Sequence, residues 1–187
     1  MSEVERRSID SVLAFHSAPT LLGVKCANLI SFDRNERTMA EYLHELAEKL
    51  SASGLCAVQL CRCRARTLVY IYNAKMLEAW LDMPQVRDFL AEYGYTADMS
   101  TDEKLRRLAG RMDCGSFPHE IGAFLGYPVG DIRGFISNNG KNCLLCGYWK
   151  VYENAEKAQR TFDEYDRCRA ILFDRLNRGL DLFQAVK

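Results

Sequence analysis

Three short blocks in this sequence concentrate side chains that could do chemistry beside Gly and Pro turns. The first is Pro118-His119-Glu120, at the start of a helical stretch. The positive end of a helix dipole favours the neutral imidazole there, which suits a general base or a ligand, and Glu120 stands beside it as a second proton carrier. The second block, His16-Ser17-Ala18-Pro19-Thr20, closes an apolar helical face. His16 is either a satisfied core histidine or a third catalytic group, and Thr20, Lys25 and Asn28 follow as candidate ligand-binding residues. The third block is Cys143-Leu144-Leu145-Cys146-Gly147-Tyr148-Trp149-Lys150. Its C-x-x-C-G spacing can hold zinc or iron if a turn brings both sulfurs to one side. On a straight strand the two would point to opposite faces. Cys61 and Cys63, or Cys114 and His119, are the candidates for the remaining ligands; buried reduced thiols are the alternative. Tyr148 and Trp149 can line an apolar pocket in which Lys150 anchors an anion, and core packing is again the competing reading.

The stretch from Pro118 to Ile136, PHEIGAFLGYPVGDIRGFI, raises a different possibility. Gly122 inside a first helix, Gly126 at a turn, and Ile132 and Phe135 on the inner face of a second helix match the spacing of a helix-turn-helix. The chemistry argues against it. The second helix offers Arg133 as its basic residue, beside Asp131, whereas phosphate contacts draw their affinity from several Lys and Arg. The same glycines serve any tight helical hairpin.

The elements that must position these groups follow from pattern. Ser2 with Glu5, and Ser100 with Glu103, are capping boxes that open helices. Ile9, Val12 and Leu13 continue the first helix, with His16 on the same face, and Pro19 is expected to interrupt it. "VKCANLISF" is ambiguous between loop and extended chain. Asp33 is expected to open a second helix with a stripe of Met39, Tyr42, Leu43, Leu46 and Leu50, stopped by Gly54, with His44 on the solvated face. "LCAVQLCRCR" and "TLVYIYN" read as an antiparallel hairpin near 55–73. Short helices follow through Leu77 and Leu81 and from Pro84. Ser116 is a candidate cap before the Pro118 stretch, and Asn139-Gly140 marks a turn. "CLLCGYWKVY" reads as one strand. A last long helix from Asn154 is expected to bury Phe162, Tyr165, Leu172, Leu176, Leu180 and Phe183, with Arg169 snorkelling from the same stripe.

Composition bounds the class. The chain has 187 residues, 48% hydrophobic, with 25 basic and 25 acidic residues and a formal net charge of +0. A core can be buried, and the charge balance gives no general attraction to nucleic acid or anionic membrane. The N-terminus lacks an apolar signal region and no run is long enough to span a membrane, so a cytoplasmic protein is expected, with its eight cysteines reduced. The fold expectation is α+β: a single domain over 1–187, mostly helical, with a small antiparallel sheet.

The blocks "SAPTLLGVKCANLISF", "LVYIYN", "FPHEIGAFLGYPVGDIRGFISNNGKN" and "CGYWKVYENAEKAQRTFDEYDRC" together resemble one bacterial domain-of-unknown-function family, found in anaerobic Gram-positive bacteria. The resemblance runs from about Phe15 to Cys168. It implies a small intracellular protein with no assigned activity and no established site residues. Members of that family often carry Cys before Ala-Pro-Thr, where this chain has Ser17, so the resemblance implies no cysteine nucleophile at that position. The functional expectation is a small-ligand or metal-binding site, catalytic or not, where the three blocks converge. The alternatives are a nucleic-acid reader built on 118–136 and an interaction module for a redox partner.

Overall fold

Ser2 opens the first helix as its spacing requires. Its hydroxyl accepts from the Glu5 amide at 3.2 Å, and the Glu5 carboxylate accepts from the Ser2 amide at 2.8 Å. In chain order the elements are α1 (Glu3–Leu21), β1 (Ala27–Phe32), α2 (Glu36–Leu50), β2 (Leu55–Arg62), β3 (Thr67–Asn73), α3 (Ala74–Leu81), α4 (Pro84–Ala91), α5 (Thr101–Met112), α6 (Ile121–Phe124), α7 (Val129–Ser137), β4 (Leu145–Cys146), β5 (Lys150–Val151), α8 (Ala155–Asn177) and α9 (Leu182–Ala185). The computed structural model describes residues 2–32, 36–50, 53–62, 66–112 and 117–187, with backbone alone at 36–39 and 61–62. The expectations for Asp33, Met39, Cys61, Cys63, Cys114 and Ser116 lie outside what is described. The fold is α+β with small antiparallel sheets, and the chain divides into two compact units, Met1–Met76 with Tyr165–Lys187, and Leu77–Glu164. Among the described residues no helix is long and apolar enough to cross a membrane.

The first unit is a three-stranded sheet, order β1-β3-β2, covered by helices. Both neighbours of β3 are antiparallel to it, with Ala27 opposite Tyr72 and Leu55 opposite Asn73. β1 and β2 are therefore parallel and separated by β3, so β1-α2-β2 is a split β-α-β unit. The ambiguous "ANLISF" is thus the edge strand β1. β3 is the central strand: Val69 and Ile71 join the core formed with Ile9 and Leu13 of α1 and with Tyr42 and Leu46 of α2, while Tyr70 and Tyr72 on its other face are also buried. His44 is exposed on the outer side of α2.

Pro19 does not interrupt α1; it sits in the last turn, and the helix runs on to Leu21. A proline there removes the amide that would bond the carbonyl four residues back, that of Phe15. Arg169 supplies the missing donor: its Nε gives a hydrogen bond to Phe15 O at 2.8 Å, and its guanidinium lies 4.4 Å from the Phe15 ring centroid. Arg169 therefore does more than snorkel from the apolar stripe. α8 also differs from expectation. It ends at Asn177, Gly179 follows with φ of +87°, and α9 is a separate turn capped by Asp181. Leu180 is consequently exposed rather than on a helical stripe, while Phe183 is buried in the core.

In the second unit α3, α4 and α5 bury Leu81, Val86, Phe89 and Leu108. Ser100 and Glu103 form the expected box at the start of α5. α6 and α7 are the predicted helical hairpin. A Cβ at Gly122 would come within 2.9 Å of Ile132, so glycine is what allows the two helices to close. The segment read as one strand is instead a tight hairpin of two two-residue strands, with Leu145 opposite Val151 and Cys146 opposite Lys150. The run is too short and too turned for alternation to describe it. Phe162 and Ala158 of α8 pack beneath it against Val151.

Candidate functional site

Asp131 organises a cleft in the second unit. It is the third residue of α7, where the positive end of the helix favours a carboxylate. Its Oδ1 accepts the amides of Tyr152 at 2.7 Å and Glu153 at 2.9 Å, and its Oδ2 accepts Trp149 Nε1 at 2.7 Å. Three donors hold one buried carboxylate, and in return the carboxylate ties the β4–β5 hairpin to α7 and fixes the Trp149 indole. Trp149 then stacks on Tyr127, with centroids 5.2 Å apart and planes 28° apart, and meets Phe162 edge-on at 4.6 Å. Tyr127 is anchored in turn by its hydroxyl, which donates to Tyr148 O at 3.2 Å.

Between α6, α7 and this hairpin lies a cleft of about 310 Å³, at the small end of the range for ligand pockets. Its lining is mostly apolar or aromatic: Phe117, Ile121, Gly122, Tyr127, Ile132, Phe135 and Trp149, with His119, Asp131 and Lys150 as the polar groups. The His119 ring lies 5.8 Å from that of Phe135. Lys150 Nζ donates to Gly140 O at 2.6 Å and stands 5.9 Å from the Phe135 centroid. Phe117 and Phe135 stay exposed, at 57% and 37%. Phe135 was expected on the inner face of the second helix; only Ile132 is there, and Phe135 is a wall of the cleft.

His119, Trp149 and Lys150 thus come together. Glu120 does not join them. It is fully buried, its Oε1 paired with Arg111 Nε, and its Oε2 has no hydrogen-bond partner among the described residues. Nearby Tyr95, also buried, has its pKa pushed well up, by desolvation first and by the Glu120 charge second. Neighbours in a helical turn do not face the same way, and His119 and Glu120 obey that rule. Tyr148 packs its ring against Phe162 at 5.5 Å and does not line the cleft.

Of the cysteine pair, Cys143 is half-buried and Cys146 exposed, both as free thiols. The phenol of Tyr152 has its pKa raised, first by desolvation and then by the charges of both thiols. Among the described residues no three His, Cys, Asp or Glu side chains are gathered as metal ligands.

The remaining candidates lie in the first unit. His16 is exposed on α1, its ring edge-on to Phe15 at 4.9 Å. Partial desolvation, then the Arg169 charge, hold its pKa below the ordinary value. Thr20 is fully buried and donates to Asn28 Oδ1 at 2.6 Å. Lys25 is buried, its ammonium donates to Ala27 O, and burial lowers its pKa to about 8, with Cys26 opposing. Ser17 is fully buried, and its hydroxyl finds no hydrogen-bond partner among the described residues.

The helix-turn-helix geometry gains little. Arg133, the only basic residue of α7, is paired with Glu92. A Cβ at Gly134 would collide with Tyr152 and one at Gly130 with Glu153, so that face of α7 is covered by the chain itself. Asp131, Tyr127 and Phe117 are the residues that pattern reading missed. Asp131 carried one usable signal, a carboxylate in a helix's first turn; its partners at 149, 152 and 153 left none.

A family model described as a protein of unknown function (DUF3793) matches residues 13–186. No curated protein and no solved structure matches the chain.

Proposed function

We propose that this chain, which belongs to the DUF3793 family of proteins of unknown function, binds a small molecule in the cleft between α6, α7 and the β4–β5 hairpin. The observation that carries the reading is the cost accepted around that cleft. A buried carboxylate, Asp131, is committed to fixing Trp149 against Tyr127, while Phe117 and Phe135 remain in solvent beside it. Pre-set aromatic walls with a few polar groups at one end are what ligand pockets share. His119 is the acid–base group at the cleft, and its neighbouring carboxylate is buried elsewhere with Arg111, so the arrangement favours binding over proton-transfer catalysis. A cytoplasmic location, where Cys143 and Cys146 would be reduced, goes with this reading.

The two tryptophans give a direct test. Trp80 Nε1 bonds Ala123 O and lies outside the cleft, whereas Trp149 lines it. A library of aromatic fragments, followed by the two indole N–H signals in an amide-correlation spectrum, should yield binders that shift Trp149 and leave Trp80 in place. If no fragment moves Trp149, or if Ile132→Trp fails to abolish the shifts, the cleft is packing and the proposal is wrong.

A further inference from the structure

We infer that the ligand of this cleft is a flat aromatic acid: one ring system carrying a carboxylate or a phosphate. The inference rests on the binding reading above and names the class of ligand. Half of the lining residues carry a ring, and the Tyr127–Trp149 stack presents a planar wall. Flat π-systems meet such walls by stacking or edge contacts, which add to simple area burial. The volume of about 310 Å³ suits one ring system with a short arm.

The polar groups decide the charge. Both oxygens of Asp131 are already held by three N–H donors, and the start of α7 offsets their charge, so this carboxylate is a poor receptor for a cation. Lys150 uses one of its three N–H bonds on Gly140 O, which fixes the ammonium in place and leaves two donors. His119 lines the same cleft, and its imidazole is a second polar group there. The donors with capacity to spare are therefore a cation and an imidazole, and the complementary group is an anion, recognised through a charge-assisted hydrogen bond.

Three probes with one ring and different arms test this: 1-naphthylacetate, 1-naphthylacetamide and 1-naphthylmethylamine, titrated by calorimetry with the Trp149 signal as site marker. A carboxylate ligand is expected to bind about tenfold tighter than its amide, and the amine weakest. Naphthyl phosphate replaces the acetate in a parallel titration to separate the two anion types. Lys150→Met should erase the preference for the anion while the amide still shifts Trp149, which also shows that the cleft is intact; Lys150→Arg should retain the preference. If anion and amide bind equally while both shift Trp149, the aromatic-acid class is wrong and the cleft reading stands. A preference for the amine overturns the class in favour of a cation. If none of the three shifts Trp149 although other fragments do, the class again falls; if no fragment does, both proposals fall.

Discussion

Replacing Arg169 tests whether a proline in α1 is made tolerable by a side chain from α8. Three contacts of Arg169 bear on the cost of Arg169→Ala. The Nε bond to Phe15 O is 2.8 Å long, and a hydrogen bond from a charged donor contributes about 1.5–3 kcal/mol. Stacking over the Phe15 ring adds about 0.5–1 kcal/mol at an exposed site. The 3.4 Å contact to Asp166, whose carboxylate is well exposed, adds about nothing. Phe15 is itself 45% exposed, so water can take over part of the carbonyl's demand, and the low end of the range applies. The expected cost is about 2 kcal/mol. In a Pro19→Ala background the backbone amide gained at that position can reach Phe15 O, and the carbonyl no longer depends on Arg169. Arg169→Ala should then cost about 1 kcal/mol, the difference being the coupling between two positions that share one acceptor. Urea unfolding of the four proteins, followed by far-UV circular dichroism, measures the cycle. Equal costs in both backgrounds, within about 0.3 kcal/mol, would refute the assignment of the Phe15 carbonyl as the shared acceptor.

Other outcomes follow from the same structure. Gly134→Ala drives a Cβ into Tyr152 and should lose about 1–3 kcal/mol, whereas Gly110→Ala, in open space on α5, should gain about 0.5–1 kcal/mol; thermal melts that rank the two the other way would contradict the packing of α7. Ser17→Cys removes a buried hydroxyl without a hydrogen-bond partner and should raise stability by about 1 kcal/mol, visible as a rise in melting temperature of about 2–4 °C. His16 should titrate below its ordinary value, and Arg169→Gln should move the midpoint up. Because its folded pKa is depressed, the unfolded chain takes the proton first. His16 therefore costs no stability above the unfolded pKa of about 6.5 and costs progressively more as pH falls from there to the folded value. A proton-resonance titration of His16 with a midpoint above about 6.5 would show the sign to be wrong.

What could be read from the sequence was what depends on near neighbours. Ser2 with Glu5 and Ser100 with Glu103 are three residues apart, and each pair bonds as spacing demands. The β2–β3 hairpin is also local, and it pairs antiparallel as the pattern predicts, with a shift of register between Gln59 and Cys61. β1 was ambiguous because "ANLISF" alternates poorly, and its pairing with β3 is decided across the whole of α2 and β2. Pro19 misled for the same kind of reason: the rule about helix interruption is sound, but the donor that relieves it comes from α8. At the cleft, residue type identified His119, Trp149 and Lys150. The direction of Glu120 was legible too, since adjacent residues in a turn diverge. Asp131 was not, because nothing local announces that a carboxylate will be claimed by three donors some twenty residues on.

The sheet of the first unit carries a consequence for how the chain assembles. β3 lies between two strands that both precede it in sequence, so the edge strand β1 is made first and paired last. β2 and β3 can zip as soon as both exist, at little entropic cost. β1 must wait, with α2 looped out, until that hairpin offers it an edge. During synthesis "ANLISF" therefore emerges as an unpaired, half-apolar ribbon that has no partner until Asn73 has left the ribosome. That interval is when this protein is most open to pairing with the wrong chain.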